Sequence, residues 1–289
     1  MRQRSLAGQF NARGNQMAGK GDRARAVRDY TAAARFDPSW SVPRCNLGLQ
    51  TKYLHQREDS LRYNRRACEL DGEDEASWWN MGIAATALPN WKEARRAWKQ
   101  VGVDLPDGDG DRRFPPMTAC VRINPDESPV IWGERIDPVR LLIRSIPLPD
   151  SRHRYRDILL HDGTRSGTRM MDEEQVPVFD ELEVWQPSQF ATYQAGIRIP
   201  DAEAETALEQ LAGDIGVALE DWSKLSLVCP QCSRGNPVPH ECDVREPEDG
   251  LKSYALAAET ESTARYVLDE WAKRTAGASY SDLRVVAEP

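Results

Sequence analysis

The chain has 289 residues, 40% of them hydrophobic and 29% charged, with a formal net charge of −8, and its mean hydropathy is −0.65. That composition excludes a membrane-embedded chain and a wholly disordered one, and no apolar run approaches the roughly 20 residues of a spanning helix. The opening MRQRSLAGQFNARGN is positively charged but has no apolar stretch behind it, so a secretory leader is not expected and the cytoplasm is the expected compartment.

Charge is divided unevenly along the chain. Through Asp104 there are 18 Lys+Arg and 12 Asp+Glu (+6); the totals of 38 and 46 leave 20 and 34 beyond it (−14). Such a split suits a basic part that receives an acidic partner or the chain's own acidic part, and equally two solvated surfaces of different bias.

A 34-residue period organises the first third. Gly14, Gly48 and Gly82 are in register, as are Phe10, Arg44 and Trp78; Ala26, Ser60 and Ala94; Tyr30, Asn64 and Trp98; Ala33, Ala67 and Val101; and Pro38, Gly72 and Pro106. Within each period a glycine marks one helix, a polar turn follows, and alanine and an aromatic recur at helical spacing before a proline stop. Small residues let two helices approach and aromatics fill between them, so each period predicts a helical hairpin.

This pattern resembles tetratricopeptide repeats (TPR), in three copies at about 7–40, 41–74 and 75–108, together spanning 7–108. The third copy matches best, while the second has Asn64 at the aromatic site and Gly72 where proline is usual. The resemblance implies a groove, lined by the first helices, that holds a protein or peptide partner. The implied lining is Asn11, Asn15, Cys45, Asn46, Leu49, Lys52, Tyr53, Trp79, Asn80 and Ile83, and its apolar members would suit a partly apolar ligand. Asn46 and Asn80 occupy equivalent sites, where an amide can donate and accept to a peptide backbone or else tie neighbouring helices. A subgroup of these repeats grips chaperone carboxylate termini with a two-lysine, one-arginine clamp. This chain has Asn11, Ala76 and Asn80 there, which disfavours that use. The arginines of the second copy, Arg57, Arg62, Arg65 and Arg66, lack interleaved aromatics and read as a solvated face, so nucleic-acid binding is disfavoured.

The breaker stretch PDGDGDRRFPP ends the helical pattern. Over 109–188, strands are expected at Thr118–Ile123, Val130–Glu134, Val139–Ile146 and Arg156–His161, separated by Asn-Pro, Asp-Pro, Pro-Leu-Pro and the turn His-Asp-Gly. They predict a small β-rich, SH3-like barrel. Arg152, His153, Arg154, Tyr155, Asp157, His161 and Asp162 crowd together, but without a nucleophile motif they do not read as catalytic.

The last part, 189–289, repeats a strand–helix unit: strand Phe190–Ile199 and helix Asp201–Val217, then strand Ser253–Ala258 and helix Thr260–Arg274, with further strands at Ser223–Val228 and Asp282–Ala287. The order βαββαβ predicts a ferredoxin-like α+β domain. Its second and third strands are joined by CPQCSRGNPVPHEC, residues 229–242, where Cys229, Cys232, His240 and Cys242 supply four donors for a structural zinc. A free-thiol loop and a redox Cys-x2-Cys pair are the alternatives; the latter normally opens a helix, and Ser-Arg-Gly-Asn-Pro does not. Cys45, Cys68 and Cys120 stand alone as small buried residues.

The chain as a whole is similar to bacterial repeat proteins of mixed architecture. The expected fold class is multidomain, α followed by α+β, and the expected function is non-enzymatic: an adaptor, regulatory or immunity-type protein that binds a peptide or protein, with no membrane role. The rival is a metal-dependent hydrolase with an incompletely ligated zinc.

Overall fold

The computed structural model describes residues 2–106, 110–111, 113–123, 130–171, 174–223 and 250–289. They fall into two compact units, one running to Pro115 with Asp137–Val139 added, the other comprising Pro116–Ile136 and Arg140–Pro289.

The first unit is six helices: α1 (Arg2–Gly19), α2 (Arg23–Phe36), α3 (Val42–Tyr53), α4 (Arg57–Leu70), α5 (Glu75–Ala87) and α6 (Trp91–Gln100). They form three hairpins, and the physical origin of the 34-residue period is visible in each. A Cβ placed on Gly14 would lie 2.5 Å from the Tyr30 ring, one on Gly82 2.6 Å from the Trp98 ring, and one on Gly48 would overlap the Asn64 amide. The glycine of each first helix is therefore the contact point for the large residue 16 positions later, and the first third of the chain is an array of three helical hairpins with a 34-residue repeat. Asp22 and Asn90 cap α2 and α6 by accepting from the backbone N–H groups of Arg25 and Glu93.

The middle hairpin is built differently. Asn64 is fully buried in the place of the aromatic. Its Nδ2 donates to Ser60 O at 2.9 Å, and Ser60 Oγ donates to Gly48 O at 2.9 Å. Asn64 Oδ1 is buried with no hydrogen-bond partner among the described residues.

The second unit contains a closed barrel of β1 (Met117–Arg122), β2 (Val130–Arg135), β3 (Arg140–Ile143), β4 (Ile158–Met171) and β5 (Glu174–Gln186). Successive strands run antiparallel, and an odd number of them leaves the closing pair, β1 with β5, parallel. The interior is filled by Ala119, Val121, Ile123, Ile131, Leu141, Ile143, Leu159 and Phe179. Two expectations are corrected here. The His-Asp-Gly segment, His161–Gly163, is not a turn but lies within β4, where register shifts between Leu160 and Gly167 absorb it. Strand β5 was not expected at all. Of its 13 residues only Val176, Val178 and Phe179 are buried, so little apolar alternation announces it.

Among the described residues the rest of the unit is β6 (Ala191–Arg198), α7 (Ala202–Ile215), β7 (Ala218–Asp221), β8 (Lys252–Ala258), α8 (Glu261–Arg274) and β9 (Ser279–Ala287). The sheet order is β7-β8-β6-β9, with all pairs antiparallel. Tyr193, Ile197, Tyr254 and Leu256 face Leu208, Val267, Leu268 and Trp271 of the two helices, and Trp271 Nε1 donates to Ala204 O at 2.9 Å to tie α8 to α7. On the opposite side of β8, Ala255 and Ala257 pack with Ile146 and Phe190 from the segments flanking the barrel. The strand expected at Ser223–Val228 lies, apart from Ser223, outside the described residues; β7 was not expected, and it forms because Gly216 takes a left-handed φ of +85°, ends α7, and turns the chain directly into the sheet.

The glycine contacts carry a prediction of opposite signs. Gly82→Ala is expected to destabilise the array by about 1–3 kcal/mol through overpacking on Trp98. Gly8→Ala, where nothing lies within 4 Å, is expected to stabilise it by up to about 1 kcal/mol through helix propensity. Urea denaturation of both variants checks this, and shifts of the same sign would contradict it.

Candidate functional site

The candidate site lies on the helical unit, and the residues expected to line it divide into three groups. Asn46 and Asn11 meet: Asn46 Nδ2 donates to Asn11 Oδ1 at 3.1 Å, joining the third helix to the first. This pair ties neighbouring helices, the structural alternative for Asn46. Asn15 is exposed, and its Oδ1 accepts from the Tyr30 hydroxyl at 2.9 Å.

Farther along α3, the Tyr53 ring is stacked by two cations, the guanidinium of Arg23 and the ammonium of Lys52, each 4.5 Å from its centroid. Arg23 also donates to Gln50 Oε1 at 3.2 Å, and Lys52 is only 8% exposed. Leu49 is half-buried.

On α5, Trp79 sits edge-on to Trp98 with ring centroids 5.1 Å apart, and Asn80 is buried. Ile83 is 1% exposed. This corrects the expectation that it lines an open groove: helical spacing placed it on the first-helix face, but that face is covered at this position. The expected apolar lining therefore loses one of its members.

What the helical unit does offer is an open concavity of about 420 Å³ lined by Ser41, Val42, Cys45, Asn46, Asp71, Glu73 and Asp74. Cys45 and Asn46 come from the expected lining. The acidic wall was missed, because it belongs to the α4–α5 connector and not to a first helix, although Asp71-Gly72-Glu73-Asp74 was legible as a charge run. Asp71 and Asp74 are oriented locally: Asp71 Oδ1 accepts from Glu73 N at 3.2 Å and Asp74 Oδ2 from Ser77 Oγ at 2.5 Å. Among the described residues no lysine or arginine lines the concavity. A second concavity, about 560 Å³, lies at the start of α6 beside Trp91, Lys92 and Arg95.

The arginines of the second hairpin are engaged at the surface. Arg62 pairs with Asp59 at 2.6 Å, Arg66 with Glu69 at 2.7 Å and Arg65 with Glu93 at 3.4 Å, while Arg57 donates to Ala87 O at 3.4 Å.

Elsewhere, Cys229, Cys232, His240 and Cys242 lie outside the described residues. Among the described residues no group of three or more His, Cys, Asp and Glu side chains is placed to hold a metal ion, and no helix is long and apolar enough to cross a membrane.

No family model matches the chain, and no curated protein matches it. Among solved structures it is similar to the second TPR domain of Spaghetti (RPAP3) bound to the HSP90 peptide SRMEEVD, at 23% identity, covering 34% of this chain and 91% of that one, with a TM-score of 0.33. It is also similar to the Arabidopsis OM64 TPR domain (18% identity, 34% and 82% coverage, TM-score 0.33). A third is the TPR2B domain of yeast Sti1 in a pHsp70 complex (18% identity, 34% and 78% coverage, TM-score 0.32).

The Cys45 thiol in the concavity is pushed up to about 11, chiefly by burial, with the Ser77 hydrogen bond opposing and the Asp74 charge adding to it. It is expected to stay protonated at neutral pH. Its alkylation by iodoacetamide, followed by peptide mass mapping, should rise about tenfold per pH unit from 7 to 10. A plateau below pH 9 would contradict the assigned environment.

Proposed function

We propose that this chain is a non-enzymatic protein-interaction protein whose helical array holds an extended, cation-bearing segment of a partner protein. The observation that carries this is the concavity between α3 and the α4–α5 connector, open to solvent and walled by Asp71, Glu73 and Asp74, with no lysine or arginine among its described lining residues. The unit's net charge is positive, but at physiological salt the Debye length is about 8 Å, so a bound side chain responds to the local wall and not to the unit as a whole. A Lys or Arg side chain of the partner would meet the carboxylates, and its backbone would meet the Asn46 amide. This is opposite in sign to a carboxylate-terminus grip, in keeping with the missing lysine–arginine clamp.

Around this interaction surface we read the βαββαβ part as a ferredoxin-like sandwich, supported by the sheet order β7-β8-β6-β9, and the five-stranded barrel as SH3-like. The knuckle residues Cys229, Cys232, His240 and Cys242 are assigned to a structural zinc on the chemistry of their donors: three thiolates and one imidazole complete a tetrahedral shell and leave no open position for a reacting water.

Binding is tested with fluorescent ten-residue peptides carrying either alternating Lys and Ser or alternating Glu and Ser, titrated against the full chain. The lysine peptide is expected to bind with an affinity that falls as salt rises. The double substitution Asp71→Lys with Glu73→Lys should weaken it at least about tenfold, equivalent to about 1.4 kcal/mol. Retention of the glutamate peptide instead would overturn the proposal.

For the knuckle, elemental analysis of protein purified without added metal should find about one zinc per chain, and X-ray absorption about three sulfur and one nitrogen neighbours. A shell containing water would point to the hydrolase instead, and protein without metal would remove the site.

A further inference from the structure

His153 lies in Pro149–Asp157, the second part of the connector between β3 and β4, and is 6% exposed. Both of its ring nitrogens face acceptors. Nε2 is 2.8 Å from the carboxylate Oε1 of Glu181 on β5, and Nδ1 is 2.6 Å from the carbonyl oxygen of Ser151. A neutral imidazole has one N–H and one lone pair, so it can satisfy only one of these contacts. The imidazolium, with two N–H groups, satisfies both.

The connector is otherwise a strained path. Arg152 and Arg156 take left-handed φ values of 63° and 68°, a conformation that costs a non-glycine residue energy and persists only where the surroundings enforce it. Downstream, the Asp157 carboxylate accepts from Arg154 N and from Ser188 N, each at 2.7 Å, and Ser188 Oγ donates to Tyr155 O at 2.7 Å. The Tyr155 ring sits edge-on to Phe190, which leads into β6. The same nine residues thus hold the barrel to the start of the sheet.

We infer that the Pro149–Asp157 connector is a protonation-dependent latch, held on β5 while His153 carries two ring protons and let go when it loses one. The charged groups facing the imidazole are Glu181 from β5 and Asp157 from the connector itself. Arg154, its chain neighbour, directs its guanidinium to the carbonyl oxygens of His153 and Glu288. Burial pulls the imidazole toward the neutral form. The hydrogen bond and charge of Glu181, the Ser151 carbonyl and the Asp157 charge together outweigh it, leaving the group above the ordinary 6.5. The sign follows: the latch is fully formed below about pH 6.5 and is lost as pH rises through the raised folded-state value.

The test uses the full chain, which has four histidines. Imidazole NMR resonances are titrated from pH 5.5 to 9, and hydrogen exchange of peptides spanning 149–157, corrected for intrinsic rates, is followed over the same range. His153 is expected to titrate above 6.5, and protection of the connector to fall through that same midpoint, with about a tenfold change in hold for each unit of elevation. In Glu181→Gln the midpoint should drop below 6.5 and the coupled loss of protection should vanish. A wild-type midpoint at or below 6.5, or protection unchanged across it, overturns the latch. The wild-type titration decides the matter even where the variant does not fold.

Discussion

The carboxylate of Asp157 holds the second unit together. It is 3% exposed and accepts the backbone N–H of Arg154 on the segment entering β4 and that of Ser188 on the segment leaving β5. Two connectors far apart in sequence are thereby fixed to one point, and the residues beside them, Ile146 and Phe190, are brought onto the small side chains of Ala255 and Ala257. Ile146 N adds a 2.6 Å bond to Glu220 Oε2 on β7. Burial raises the Asp157 carboxyl above its ordinary value, while the two N–H donors work in the opposite direction. Left without them the buried carboxylate would be costly, so the barrel and the sheet are positioned by the need to solvate one ion with backbone.

The helical array was legible because its period is enforced sterically. A glycine facing a large residue 16 positions later cannot drift without a collision, so Gly14, Gly48 and Gly82 stayed in register with Tyr30, Asn64 and Trp98. The two strand–helix units beyond Ala191 were legible for a related reason: each packs one apolar face, and that face repeats, whereas β7 between them was not foreseen. Strand β5 was not, since Pro177, its acidic residues and its half-exposed positions mask the alternation that a strand with one buried face would show.

The site was legible only in outline. Periodicity says which face of a helix a residue occupies, but not whether something covers that face. Asn46 and Cys45 reach an open surface, while Ile83 is covered and Lys52 is folded over Tyr53. The acidic wall escaped attention because the groove was expected from helices alone, whereas its charge is contributed by a connector. His153 was singled out in the sequence, yet its partner Glu181 lay in the strand that was not foreseen, and only the fold brings the two together.

In a stack of hairpins each unit leans on its neighbours, so local weakness is shared. The middle hairpin carries Asn64 where its neighbours carry rings, and its buried, unmatched oxygen costs about 1–3 kcal/mol. The middle hairpin therefore carries a local cost at this position that Tyr30 and Trp98 do not impose on its neighbours. That same hairpin contributes both sides of the acidic concavity, through α3 and the connector after α4. A segment seated there, as proposed, would brace the hairpin that carries this cost, and through the shared packing of the stack would steady its neighbours.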